Sequence, residues 1–503
     1  MSIQIPTGWS IEEFGELSTQ KTSNIDPSKF PEEDFELWSV PNFPSGKPEF
    51  VKGFEIKSNK QVVKSGDVLV CKINPRINRV WVVQPHTKNR QLASTEWIVI
   101  RNPSIQPDFL KYFFTSPKFR TGICSDVSGV GGSLTRARPK TIAKLLSPIA
   151  PLNEQRRIVE KVDALMEKSG AAKEALDAIP ALLDQYRQSV LAAAFRGDLT
   201  KDWREQNPNI EPASVLLDRI RTERRQCWEE SELVKIRAKG KEPKNDKWKE
   251  KYKEPLTLLD GHFLKVPKNW EVTTPDLICE QIVDCSHATA KYTDTGIPIV
   301  RTTEFRLGKL DLQKVKRVSR ETFEKRVLRL KPRANDILYS REGGIFGIAC
   351  IVPNVELCMG QRMMLFRANT NAILPSFLLW MLNSPAFFNQ AASKVTGSAS
   401  PHVNVGDIKR FAIALPPIEE QEKIVNLITA SLEKIEEVSQ HLELLNKSKA
   451  ELNQSILAKA FRGELVPQDP TDEPAAVLLK RIQVEREVTA KSKPKRTRQK
   501  KTA

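Results

Sequence analysis

"PLNEQRRIVEKVDALMEKSGAAKEALDAIPALLDQYRQSVLAAAFRGDL" occupies residues 151–199, and its opening and closing phrases return 266 residues later as "PIEEQEKIV" (417–425) and "LAKAFRGEL" (457–465). Within this 49-residue unit, Ile158, Val162, Leu165, Ala172, Leu176, Ile179, Leu183, Tyr186 and Val190 fall on alternating steps of three and four. Ile424, Ile428, Ile435, Val438, Leu442, Leu445, Leu452 and Ile456 repeat the steps. That period predicts a coiled-coil seam. Each copy starts behind a proline, carries Glu in its first turn (Glu154; Glu419 and Glu420) and ends with Arg before Gly. These residues suit the two ends of a helix and its dipole. Ser169, Ser431 and Lys449 interrupt the seam, and Pro180 should kink the first copy. The repeat predicts two rods of roughly 65 Å, antiparallel to each other.

Correspondence extends outward from the rods. "IPTGW" (5–9) matches "VPKNW" (266–270), "SGDVLV" (65–70) matches "ANDILY" (334–339), and "PDFLKYFFTSP" (107–117) matches "PSFLLWMLNSP" (375–385). Runs such as "VLVCKI", "EWIVI", "IPIVRT", "GIACIV" and "MMLF" read as short strands, and "DFLKYFFTS" and "SFLLWMLNS" as helices. The expected fold is α+β, with a pseudo-two-fold repeat: a first domain (1–150), a first rod (151–200), a charged connector (201–265), a second domain (266–416), a second rod (417–466) and a basic tail (467–503). "EPASVLLDRIRTER" (211–224) and "EPAAVLLKRIQVER" (473–486) add one short helix after each rod. The apolar stripe of Val215, Leu216 and Ile220, repeated as Val477, Leu478 and Ile482, is expected to meet a partner protein.

Composition limits function. With 79 Lys and Arg against 62 Asp and Glu, the chain carries +17 and attracts polyanions such as nucleic acid. Seven cysteines without a CxxC spacing fit reduced thiols. "MSIQIPTGWS" has neither a basic nor an apolar signal region, and no run is long enough to span a bilayer, so a cytoplasmic location is expected. The glycine loop and Asn/Asp-Pro-Pro-aromatic motif of an adenine methyltransferase do not occur, since "INPR" (73–76) lacks the second proline. "GVGGS" (129–133) is not followed by Gly-Lys-Ser/Thr and does not read as a phosphate loop. Asp26, Glu55 and Lys57 offer only a weak carboxylate-plus-lysine pattern for a Mg-dependent nuclease. The five histidines lack zinc spacing. No catalytic or metal-binding residue is therefore assigned.

The helix openings "PLNEQRRIV" and "PPIEEQEKIV", the helix exits "AFRGDL" and "AFRGEL", the phrase "DCSHATAKYTDTGIPIVR" from Asp284 and "SREGGIFG" from Ser340 together resemble the DNA specificity (S) subunits of Type I restriction-modification systems. Cys285 and Ala290 depart from the family's Gly and Pro, and the first domain lacks the "DGxH" phrase. The resemblance implies two target-recognition domains joined by two conserved helical spacers. It also implies double-stranded DNA as ligand, and assembly with two methyltransferase (M) subunits and with restriction (R) subunits. S-adenosylmethionine, ATP and Mg then belong to those partners, with no cofactor on this chain.

Reading bases in the major groove needs Arg or Lys for guanine and Asn or Gln for adenine. In the first domain the candidates are Lys72, Asn74, Arg76, Asn78 and Arg79 in "CKINPRINR", with Thr135, Arg136 and Arg138. In the second they are His287, Lys291, Tyr292, Arg301, Thr302, Ser340, Arg341, Gln361, Arg362, His402 and Asn404. The competing expectations are a coiled-coil scaffold whose charge is incidental and a self-contained nuclease.

Overall fold

A computed structural model describes residues 5–128, 135–240, 242–243, 245–259, 264–397 and 401–491, with side chains up to residue 484. The glycine-rich "GVGGS" and all but the first two residues of the basic "AKSKPKRTRQKK" lie outside the described residues. The chain forms two compact units, one from residues 1–177 with 442–503 and the other from residues 178–441. The rods are the helices Leu152–Arg196, continuous through Pro180, and Ile418–Ala460. Each unit therefore holds the start of one rod and the end of the other.

The first unit has a five-stranded sheet in the order Asn24–Ile25, Lys60–Val62, Arg90–Ala93, Asp34–Trp38, Glu49–Lys52. A three-stranded sheet places Val68–Cys71 between Val80–Val82 and Trp97–Ile100. In the second unit a four-stranded sheet runs Cys279–Asp284, Met363–Ala368, Ile337–Ser340, Ala349–Ile351. A second one runs Tyr292–Thr293, Lys316–Val318, Ile297–Val300, Cys358–Met359. The helices Pro107–Thr115 and Pro375–Leu382 cover the cores, as their apolar runs predict.

Within each unit the rod segments pack antiparallel. Ile158 and Val162 share a core with Ile456, Leu457 and Ala460 in the first, and Val190 and Ala194 share one with Ile424 and Ile428 in the second. Ser169, an interruption of the seam, donates from Oγ to Asn453 Oδ1 at 2.8 Å. The expected seam is not buried throughout: Tyr186, Val438, Leu445 and Leu452 are exposed. Burial is concentrated where a domain core meets the rods, because the interruptions weaken the heptad in between.

The repeated phrases meet at one joint in each unit. Trp9 Nε1 donates to Glu154 Oε2 at 3.0 Å, and Trp270 Nε1 to Glu420 Oε2 at 2.8 Å. Gly463 at φ +75° lies against Pro6, and Gly197 at φ +81° against Pro267; an added Cβ would come within 2.2 and 2.5 Å of the respective proline Cγ. The short helices dock at the same place, with Ala475 N bonded to Gly8 O at 2.8 Å and Ala213 N to Asn269 O at 3.1 Å. Each Pro-x-x-Trp phrase thus pins the start of one rod, the end of the other and a short helix. Rod phrases recur because two equivalent joints must be built.

One expectation needs correction here. The stripe reserved for a partner is largely occupied within the chain: Leu216, Ile220, Leu478 and Ile482 are buried, and only Val215 and Val477 stay exposed. Burial of that stripe in the unit's own core satisfies it. The charged connector folds into Lys201–Gln206, Ala213–Ala238 and Asp246–Lys251, the second of which contains the expected short helix and runs beyond it. Trp228 stacks on Trp248 with centroids 6.1 Å apart, and Tyr252 joins them in a half-buried aromatic cluster that the charge count conceals. All seven cysteines are free thiols. Among the described residues, no helix is long and apolar enough to cross a membrane.

Candidate nucleic-acid interface

One backbone frame is built twice. In the first unit Asp67 receives both Nε and Nη2 of Arg101 at 2.8 and 2.6 Å, and in the second Asp336 receives both from Arg367 at 2.9 and 2.7 Å. Each pair ties the start of one central strand, Val68–Cys71 or Ile337–Ser340, to the end of its antiparallel neighbour, Trp97–Ile100 or Met363–Ala368. The strands run on into equivalent turns, residues 72–79 and 341–348, closed by Cys71 N to Arg79 O and by Ser340 N to Ile348 O. A distant segment then lies beside each turn. Asn74 N bonds Thr135 O and Ala137 N bonds Lys72 O, just as Gly343 N bonds Pro401 O and Val403 N bonds Arg341 O. Isolated bridges Ile73–Arg136 and Glu342–His402 occupy the same register.

In the first unit this frame gathers the predicted cluster. Asn74 and Asn78 adopt φ of +47° and +53° on either side of the turn Pro75–Ile77, a conformation that asparagine tolerates better than most residues. Arg76 and Arg138 are exposed, and Arg138 lies 3.5 Å from Asp126. Lys72 Nζ donates to Thr95 O at 2.7 Å. Arg136 Nη2 donates to Glu96 Oε1 at 2.9 Å, and Thr135 Oγ1 to Asn74 Oδ1 at 3.4 Å. Arg79 is half-buried with its Nη1 enclosed, which removes that nitrogen from direct contact with a ligand.

In the second unit Tyr292, Arg301, Thr302, Gln361 and Arg362 line one cleft of about 180 Å³, together with Arg326. Arg326, which sequence reasoning missed, donates to Met359 O and Ala288 O, while Gln361 Nε2 donates to His287 O. Three loops are held together by these bonds. Arg301 is paired with Glu304, and that bond holds its guanidinium above the usual arginine range. Lys291 is exposed, His287 faces Asp284 Oδ2 at 3.2 Å, His402 Nε2 lies 3.2 Å from Thr396 Oγ1, and Asn404 is exposed ahead of the turn Val405–Ile408.

Ser340 and Arg341 do not belong to a reading face. Ser340 is fully buried, with its hydroxyl bonded to the backbone of Ile348. Arg341 is 5% exposed, and its Nε and Nη2 meet the two oxygens of Asp284 at 3.0 Å each. This ion pair ties "DCSH" to "SREGG", so the two phrases are halves of one structural contact. Asp26 and Glu55, the weak nuclease pattern, cap turns through Ser28 N and Lys52 N. Among the described residues no group of three or more His, Cys, Asp and Glu could hold a metal ion.

Comparison with known proteins agrees with this architecture. Residues 267–447 match the family model described as Type I restriction modification DNA specificity domain. The chain is 26% identical over 431 residues to the Type I restriction enzyme EcoBI specificity subunit of Escherichia coli, covering 83% of this chain and 79% of that protein. It is likewise 26% identical over 402 residues to the EcoKI specificity subunit of Escherichia coli strain K12, covering 77% and 74%. Among solved structures, the HsdS subunit from Thermoanaerobacter tengcongensis shares the fold at a TM-score of 0.56 and 21% identity, covering 92% of this chain and 98% of that one. A chain from a structure addressing complex assembly and conformational transition of the type I R-M system does so at 0.62 and 21%, covering 92% and 100%. With its doubled frame on doubled helical joints, the chain is similar over most of its length to Type I restriction enzyme specificity subunits, and residues 267–447 carry the match to the DNA specificity domain.

Proposed function

We propose that this chain is the sequence-reading component of a Type I restriction-modification complex, with one domain per half of a bipartite double-stranded DNA target and no reaction of its own. The observation that carries this reading is the doubled frame with unlike side chains. The same backbone positions hold Thr135, Arg136 and Arg138 in one unit and Pro401, His402 and Asn404 in the other. A repeated scaffold with diverged surface residues suits recognition of two different short sequences. The net charge of +17 supplies the sequence-independent attraction to phosphate.

In this reading the two equivalent joints receive two copies of a methyltransferase subunit, and restriction subunits join the same complex. S-adenosylmethionine, ATP and Mg are bound by those partners, and the complex works in the cytoplasm. Methylation mapping by long-read sequencing tests this, comparing cells with and without the chain. The expected result is loss of a two-part methylated-adenine motif on deletion. An unchanged methylome in cells whose methyltransferase partner is active would sink the proposal.

A further inference from the structure

We propose that Arg362 is the residue through which the second domain reads a guanine, and that the first domain, which carries Glu96 at the equivalent place, does not read through that position. This deepens the reading above and rests on it. The equivalence is set by the backbone. Ser340 pairs with Met363 as Cys71 pairs with Trp97, and the next bonds are Arg341 N to Arg362 O and Lys72 N to Glu96 O, each at 3.1 Å.

Three features single out Arg362 within the cleft. Its neighbours are already used: Arg301 is held by Glu304, and Arg326 donates to the carbonyls of Met359 and Ala288. Arg362 is exposed, and among the described residues no carboxylate pairs with it. It also holds φ +69°, rare for a side chain of its size, beside Gly343 at φ +87°. A Cβ on Gly343 would come within 3.2 Å of Arg362 Nη1, so the guanidinium lies over bare backbone. A strained residue held by its surroundings is a mark of function rather than of packing. An unpaired, planar guanidinium fixed at the mouth of a cleft fits the O6 and N7 acceptors of guanine in the major groove.

At the matching place in the first unit, Glu96 Oε1 accepts from Arg136, and Glu96 Oε2 is buried. That carboxylate orients an arginine on the neighbouring segment and presents no free donor. The two domains therefore differ at this position in the sign of the charge offered to DNA.

The test selects duplexes from a pool with randomised positions, using the full-length chain, and compares wild type with R362G and R362K. Glycine suits the positive φ, so R362G removes the side chain while leaving the backbone relaxed. Both variants are expected to lose one guanine preference in one half-site only, with affinity for the best wild-type duplex falling about 5- to 150-fold. The slope of affinity against salt should stay unchanged for R362K, because lysine keeps the charge and loses the fork. Equal weakening on all duplexes would reassign Arg362 to phosphate and overturn the inference, as would full guanine preference in R362G. If wild type selects no bipartite sequence, the functional reading itself fails, an outcome distinct from a wild-type motif that R362G leaves intact.

Discussion

Glu154 and Glu420 hold the same place in the repeat and meet different neighbours. Glu420 is enclosed by Trp270, by Thr200 Oγ1 at 2.6 Å and by Arg204 Nη1 at 2.5 Å. Glu154 has Trp9 on one oxygen, while the other is buried without a partner among the described residues. Burial, opposed by the Trp9 bond and by Arg157, pushes the Glu154 carboxyl above the usual glutamate range. A carboxyl raised by folding binds its proton more tightly in the folded chain. The stability it contributes is present below its unfolded value and is lost as pH rises through the folded value. Hydrogen exchange of residues 5–128 should therefore speed up as pH rises above the usual glutamate range, after correction for the intrinsic rate, and E154Q should flatten that dependence. E420A leaves Arg204 with a buried, broken network and should cost about 3 to 5 kcal/mol in denaturant unfolding. Arg341 makes a related contact: R341A should destabilise the second unit by less, about 1 to 3 kcal/mol, because Asp284 loses the guanidinium but keeps His287 and the amide of Cys285. A loss confined to one base position, with stability intact, would return Arg341 to the reading face.

At the scale of elements, the exits "AFRGDL" and "AFRGEL" act as αL stops clamped by Arg196 to Asp198 and Arg462 to Glu464. G197A should cost about 1 kcal/mol or more for its positive φ, and further for the contact with Pro267 Cγ at 2.5 Å. P267A removes that contact, so the double mutant should recover part of the loss, a coupling of about 0.5 to 3 kcal/mol in a double-mutant cycle. Strict additivity would mean that the glycine serves φ alone. Rod ends, strands and the two domain helices were legible because periodicity and capping are local properties. The partner stripe was misread because Leu216 and Ile220 look alike to the sequence whether the covering surface is a partner or the chain's own core. The aromatic cluster at Trp228 was hidden by the charges around it. For the candidate site, the clusters around residues 74 and 136 could be seen as residue types that suit DNA. Their meeting could not, since Asn74 and Thr135 are joined only by the fold. Ser340 and Arg341 have the right chemistry for reading DNA, and only burial removes them. Arg326 gave no signal because its work is to hold carbonyls, and Glu96 was detectable only by carrying the 266-residue offset on to Arg362.

For the whole molecule, the two units are closed in different ways from the same parts. Residues 178–441 contain both rod segments, a short helix and a domain in one continuous stretch, whereas the first unit is completed by residues 442–503 from the other end of the chain. The core around Trp9, Phe109 and Ile158 includes Ala460, Phe461, Leu478 and Ile482, and Phe461 meets the rings of Phe109 and Phe113 at 5.3 and 5.2 Å. Burying one such aromatic or aliphatic side chain is worth about 1.5 to 3 kcal/mol, and a domain's whole margin is only about 5 to 15 kcal/mol. A chain ending at residue 441 should thus lose the first unit as a cooperative fold while keeping the second. Hydrogen exchange should show residues 5–128 unprotected and residues 264–397 protected as in the full chain. Adding back residues 442–503 as a separate segment should restore protection to residues 5–128, because its Ala475 N and Gly463 must find Gly8 O and Pro6 again. Equal protection of both units in the shortened chain would mean that the first domain closes its own core, and that the tail is only docked on it.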